Sequence, residues 1–188
     1  MEILVNIDNY EEWACDDSSD FSDKEKVNIK KQIGFDNITD IELVNIGPSA
    51  DFFVILLVVS IGLIKLGAEI NDGIDGWIGI GKKIRSLFRR KKVVSVDKDG
   101  AAALAIELIA RKENIIRLVK IQETTINLAD LSGMIPDNKG LSKRPHNYYI
   151  QTYCVNDDDI YIIGIKSTGE TNIIKHFSYN LHGIEEIK

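Results

Sequence analysis

The chain has 188 residues, 44% of them hydrophobic and 28% charged, with 29 acidic against 23 basic side chains for a net charge of −6. That length suits one domain or two small ones, and the composition excludes a disordered chain, a collagen-like fibre and a polytopic membrane protein. Two cysteines are too few for a disulfide framework, which points to a reducing, cytoplasmic setting.

The sequence holds 31 isoleucines and is rich in Asn and Lys. AT-rich coding produces that bias, so a low-GC bacterium or one of its phages is the expected source. The opening Met1-Glu2-Ile3-Leu4-Val5 has no basic stretch before an apolar one and does not read as a secretory signal. Charge is unevenly spread. Residues 1–50 hold 12 acids and 4 bases, whereas residues 51–92 hold 4 acids and 8 bases.

Residues 2–7 read as a short strand, and Asp16-Asp17-Ser18-Ser19-Asp20 as an acidic loop. Ser22 stands three residues before Glu25, the spacing of a capping box, so a helix is expected through Ile33 with Gly34 ending it. Asp40–Ile46 alternates as a second strand, closed by Gly47-Pro48. Residues 50–69 contain the longest apolar run, Phe52 to Ile64, which is too long for an ordinary strand and predicts a helix. Asn71-Asp72-Gly73 separates it from a second helix over 73–91. There Ile74, Trp77, Ile78, Ile84, Leu87 and Phe88 make an apolar stripe, and basic residues load the C-terminal half.

Val93–Val96 is the next expected strand. Asp99 or Gly100 caps a helix over 101–112 that is apolar nearly all round, and a strand follows over 115–126. Residues 130–145, broken by Gly133, Pro136, Gly140 and Pro145, read as loop. Three β-rich runs (147–155, 160–166 and 171–179) joined by Asn156-Asp157-Asp158-Asp159 and Ser167-Thr168-Gly169-Glu170 predict an antiparallel meander.

The predicted fold class is therefore α+β: an N-terminal β-α-β unit, a central helical hairpin and a C-terminal three-stranded antiparallel meander. The chain is expected to form one domain, the alternative being a division into 1–92 and 93–188. Within the hairpin, helix 50–69 falls just short of the roughly 20 apolar residues that span a bilayer. Burial in the protein core is the favoured reading, with glycines 62, 67, 73, 76, 79 and 81 permitting close helix approach. Membrane association through helices 50–69 and 73–91 is the alternative.

Enzyme signatures fail on their details. Gly76-Trp77-Ile78-Gly79-Ile80-Gly81-Lys82-Lys83 lacks the Ser or Thr that a phosphate loop needs after its lysine. Asp97-Lys98-Asp99-Gly100 continues with alanines where a calcium loop needs oxygen ligands, leaving a helix cap as its role. Cys154 and His176 fall on the same meander, so a thiol–imidazole pair is conceivable, but a strand cysteine ordinarily packs as a small hydrophobe. His146 and His182 have no partner at metal-ligand spacing. No catalytic residue, metal or cofactor is expected.

These readings favour a non-enzymatic accessory protein that binds another protein, in the manner of a defence or immunity component. Tyr148, Tyr149, Tyr153, Tyr161, Phe177 and Tyr179 are the candidate partner-binding residues. Trp77, Lys82, Lys83, Arg85, Phe88, Arg89, Arg90, Lys91 and Lys92 are the candidate contacts for a membrane surface or phosphates. Nucleic acid is disfavoured as the main partner by the net acidity.

Overall fold

The structure, a computed structural model, describes residues 1–6, 21–45, 53–60, 66–67, 70, 73–90, 93–127, 147–180 and 183–186. The loops expected over 16–20 and 130–145, together with Asn71 and Asp72, lie outside these residues. In chain order the described elements are β1 (Glu2–Val5), α1 (Asp23–Ile33), β2 (Ile38–Asn45), β3 (Phe53–Val59), α2 (Ile74–Arg89), β4 (Val93–Val96), α3 (Lys98–Ala110), β5 (Leu118–Asn127), β6 (Asn147–Val155), β7 (Asp159–Lys166), β8 (Thr171–Asn180) and β9 (Gly183–Glu186). Two antiparallel sheets result, one ordered β2-β3-β1-β4 and the other β5-β6-β7-β8-β9. The α+β class holds, and the meander extends from three strands to β5–β8 with β9 added at its edge.

Local chemistry explains most element ends. The Ser22 hydroxyl accepts from the Glu25 N–H while the Glu25 carboxylate accepts from the Ser22 N–H, a complete capping box. The Ser22 hydroxyl, which donates to that carboxylate at 2.6 Å, and then the Ser22 N–H hold the exposed Glu25 carboxyl below its ordinary pKa. Gly34 ends α1 at φ 76°, a left-handed conformation that needs no Cβ, and its N–H bonds the Lys30 carbonyl. Between β6 and β7, Asn156 and Asp157 adopt φ 52° and 68°, which a tight primed turn demands of its two central residues. The Asn156 side chain also accepts from the Ile116 and Arg117 N–H groups, fixing the approach to β5.

The expected helix 50–69 is the principal correction. Residues 53–59 instead form β3, paired on both sides with β1 and β2. Ile55, Leu57 and Val59 are buried while Leu56 and Val58 are only half-buried, the period of two that a helix cannot give. Run length misled here, because a central strand also reads as a continuous apolar run. Its β-branched residues Val54, Ile55, Val58 and Val59 favour the extended backbone. The helical hairpin thus reduces to α2 alone, residues 61–65 and 68–69 lying outside the described part. No helix among the described residues is long and apolar enough to cross a membrane.

Helix α3 joins the two sheets. Its sequence, Lys-Asp-Gly-Ala-Ala-Ala-Leu-Ala-Ile-Glu-Leu-Ile-Ala, combines high helix propensity with apolar residues all round, and residues 100–107 and Ile109 are buried. It touches β1 and β4 of the first sheet, β6, β7 and β8 of the second, and α2. Leu104, Ile106 and Ile109 are completely buried, each worth about 1.5–3 kcal/mol. Asp97 supplies its cap, accepting from the Asp99, Gly100 and Glu2 N–H groups and so tying β1 to the helix. Burial raises the Asp97 carboxyl pKa, partly opposed by the hydrogen bonds from Gly100 and Glu2. A boundary between residues 92 and 93 would cut β4 from its partner β1.

Gly62 lies outside the described residues, and of the other glycines expected to bring helices together only Gly81 does so. A Cβ there would lie 2.3 Å from the Ala103 carbonyl oxygen and 2.6 Å from Glu107 Cβ, whereas one at Gly73, Gly76 or Gly79 would meet nothing within 4 Å. Beside this contact the Glu107 carboxylate, 1% exposed, accepts from Arg85 Nε at 2.8 Å and Arg111 Nε at 2.5 Å. Arg85 also donates to the Thr171 hydroxyl at 3.2 Å, linking α2, α3 and β8. Both carboxylate oxygens are used, the condition under which a buried charge is tolerated.

Two outcomes follow. Gly81→Ala should destabilise the fold by about 1–3 kcal/mol through overpacking, while Gly76→Ala and Gly79→Ala should each stabilise it by up to about 1 kcal/mol, as read by urea denaturation. Leu57→Asp should cost at least about 4 kcal/mol and Val58→Asp only about 1–2 kcal/mol, because alternate residues of β3 face the core. Equal effects of the two aspartates would contradict the strand.

Candidate interaction surface

The register of the second sheet sorts its side chains into two faces. On the inner face, Tyr149, Gln151, Tyr153 and Val155 of β6 and Tyr161, Ile163 and Ile165 of β7 are buried. The tyrosine hydroxyls have polar neighbours there. Tyr149 donates to the Val96 carbonyl at 3.2 Å, and Tyr153 donates at 2.9 Å to the Gln151 amide, which in turn donates to the Lys98 carbonyl at 3.1 Å. Tyr161 lies beside the Glu113 carboxylate. Burial is the largest cause raising all three phenol pKa values, which keeps them neutral donors. Tyr149, Tyr153 and Tyr161 are therefore core residues, and their candidacy as partner-binding residues is corrected. An aromatic body with a hydrogen-bonding tip suits a core that also needs polar cross-links.

The outer face carries the remainder. Reading across the sheet, one row is Val119, Cys154, Ile160 and Phe177; the next is Gln122, Thr152, Ile162 and Lys175. A third is Thr124, Ile150, Gly164 and Asn172, and a fourth is Ile126, Tyr148 and Lys166. Val119, Ile126, Ile150, Cys154, Ile160, Ile162, Tyr148 and Phe177 are all half-buried. Tyr148 lies across Gly164: a Cβ on that glycine would fall 1.8 Å from the phenol oxygen, which hydrogen-bonds Asn172 Oδ1 at 3.2 Å. Of the expected contact set, Tyr148 and Phe177 thus share this face. Tyr179 is on β8 opposite Ile184, its side chain lying outside the described part.

Sequence reasoning overlooked the aliphatic members of this face. In Asn147–Val155 both alternating sets contain aromatic or aliphatic residues, so composition alone does not say which set points inward. The cross-strand register decides it.

The same parity disposes of the thiol–imidazole pair. Cys154 is on the outer face opposite Ile160, whereas His176 pairs with Tyr161 on the inner face. The His176 ring stacks on Tyr161 at 4.0 Å and its Nε2 is 3.1 Å from Asp159 Oδ1. Burial, reinforced by Asp157, pushes the Cys154 thiol pKa up, away from a nucleophilic thiolate. His146 and His182 are outside the described residues, among which no cluster of three or more His, Cys, Asp or Glu side chains is placed to hold a metal. The glycine- and lysine-rich segment 76–83 is continuous helix within α2, with no loop to cradle phosphate.

The phosphate- or membrane-contact set is likewise divided. Trp77 is buried, and the half-buried Phe88 packs under the turn at Gly169, where a Cβ would lie 2.5 Å from the ring. Arg85 is committed to Glu107 and Thr171. Trp77 is therefore internal and is corrected as a contact residue, while Arg85 and Phe88, both half-buried, are already engaged within the fold. Lys82, Lys83, Arg89 and Arg90 are exposed, and Lys91 and Lys92 lie outside the described residues.

Neither described hollow gathers reactive groups. One of 240 Å³ lies between Phe35, Val59, Gly76, Gly79 and Lys83; the other, of 340 Å³, lies between Asp75 and the stretch Ala110–Ile115. No family model matches the chain, nor does a curated protein or a solved structure.

The seat of Tyr148 is testable. Gly164→Ala should cost about 1–3 kcal/mol in the native background and at least about 1 kcal/mol less when Tyr148 is already serine, because the ring that the methyl would displace is gone. Additive effects in that double-mutant cycle would remove Tyr148 from this position.

Proposed function

We propose that the chain is a non-enzymatic protein-binding module whose contact surface is the outer face of β5–β8. The observation that carries this reading is the half-exposed apolar strip Val119, Cys154, Ile160 and Phe177, continued by Ile162, Ile150 and Tyr148. Its rim is polar, made by Gln122, Thr124, Thr152, Asn172, Lys166 and Lys175. An apolar centre inside a polar border is the ordinary composition of a protein interface. Tyr148 is well suited to anchor a partner, being large, ordered by Asn172 and low in conformational freedom.

The test uses a photo-crosslinking residue at position 162, with position 27 on α1 as a control, since Val27 is also an exposed apolar residue. The reading predicts a discrete cross-linked partner from position 162 and none from position 27. With that partner purified, Ile162→Lys should weaken binding at least about tenfold at unchanged melting temperature. The same products from both positions, or from neither, would contradict the reading.

A further inference from the structure

Helix α2 has two unlike faces. At 100° per residue Ile74, Trp77, Gly81, Ile84 and Leu87 turn toward the core, and all five are buried. The opposite face presents Asp75, Gly76, Gly79, Lys82, Lys83, Ser86, Arg89 and Arg90. Its four cations lie within about 12 Å of helix length. The end of α1 adds charge of the same sign. Lys83 Nζ donates to the Gly34 carbonyl at 2.7 Å and sits 5.4 Å from the centre of the Phe35 ring, beside the last turn that carries Lys30 and Lys31. On this face only Ser86 stands between the cations, and Gly76 and Gly79 occupy the turns before them. Gly76 and Gly79 make no contact that requires a missing Cβ, so nothing in the described fold accounts for two glycines that weaken the helix.

We propose that this face docks on the phosphate headgroups of an anionic lipid bilayer, by charge and without insertion. Opposite charge selects the class of partner, and the side chains select within it. Both aromatic residues of α2 are turned inward, Trp77 buried and Phe88 against Gly169, so no wedge is left for the acyl layer or for stacking on bases. The outward face contains no Asn or Gln to read base edges. What it offers is an array of cations with only a serine among them and two glycines before them, which allows close approach to a flat anionic plane. Because this face is remote in kind from the apolar sheet face, the inference stands independently of the partner reading above.

The experiment is co-sedimentation of the full chain with vesicles of 30% phosphatidylserine in phosphatidylcholine, against pure phosphatidylcholine, at 50 and 300 mM salt. Binding is expected only to the anionic vesicles and is lost at the higher salt. Lys82→Ala, Arg89→Ala and Arg90→Ala should each weaken it about fivefold, and the triple variant about a hundredfold, at unchanged melting temperature. In a Trp13→Phe background, lipids with brominated acyl chains should leave Trp77 fluorescence unquenched. Equal binding to neutral vesicles, quenching by the brominated chains, no binding at 50 mM salt, or tighter binding to a 20-base-pair DNA duplex than to the vesicles would each overturn the proposal.

Discussion

The structure depends on a helix with no solvent face. An Ala-rich helix with Leu and Ile on every side cannot remain exposed, and α3 resolves this by lying between two sheets and beside α2. Its small residues set how near each neighbour comes. Ala103 admits Gly81 of α2, while Gly100 meets Val96, where a Cβ would be 2.7 Å from that side chain. The one charge on its buried surface, Glu107, is held between two arginines, Arg85 from α2 and Arg111 at the C-cap of α3. Asp97 closes its N-terminal end and anchors β1 with the same carboxylate. The two sheets are therefore coupled through the helix as well as through the direct bond from Val96 N–H to the Ser167 carbonyl.

That arrangement determines what is left for recognition. Packing against α3 uses the inner face of the second sheet and draws three tyrosines into the core. The opposite parity of the same strands is only half covered. The edges of the first sheet are less inviting. At β2 the Ile41 N–H is satisfied by the Asp40 carboxylate at 2.8 Å, next to an irregularity between Ile38 and Asp40 that interrupts the ladder. At β4 the Val96 N–H is taken by Ser167. Such edges resist added strands, so a sheet face is a better candidate than a sheet edge for meeting another protein.

Features set by chemistry within a few residues were legible from the sequence. The Ser22–Glu25 capping box, the Gly34 stop, the turns at 156–158 and 167–170 and the basic C-terminal half of α2 all rest on local rules, and all are present. What was not legible depends on partners distant in the chain. Phe53–Val59 is extended because β1 and β2 flank it, and an apolar run does not announce its neighbours. Parity in β6 was hidden because Gln151, which looks like a surface residue, is buried by bonds with Lys98 and Tyr153. Arg85 looked like a member of a basic patch because its acid, Glu107, lies 22 residues away on another helix.

These misplacements share a physical cause that bears on the two surfaces. A side chain that carries both apolar bulk and a polar end, such as tyrosine, tryptophan or arginine, is ambiguous in a sequence, since either part can decide its place. Here the decision follows whether α3 and its neighbours offer a partner for the polar end. Tyr149 finds a carbonyl and Tyr153 an amide, and both go inside, while Arg85 finds a carboxylate and is drawn in halfway. Tyr148 meets Asn172 on the outer face and stays there. Lys82, Arg89 and Arg90 lie on the side of α2 away from α3, beyond the reach of its single buried acid, and remain in solvent. Helix α3 thereby separates an apolar sheet face from a cationic helix face, and the side chains available to each are those that the polar groups of α3 and its neighbours did not capture.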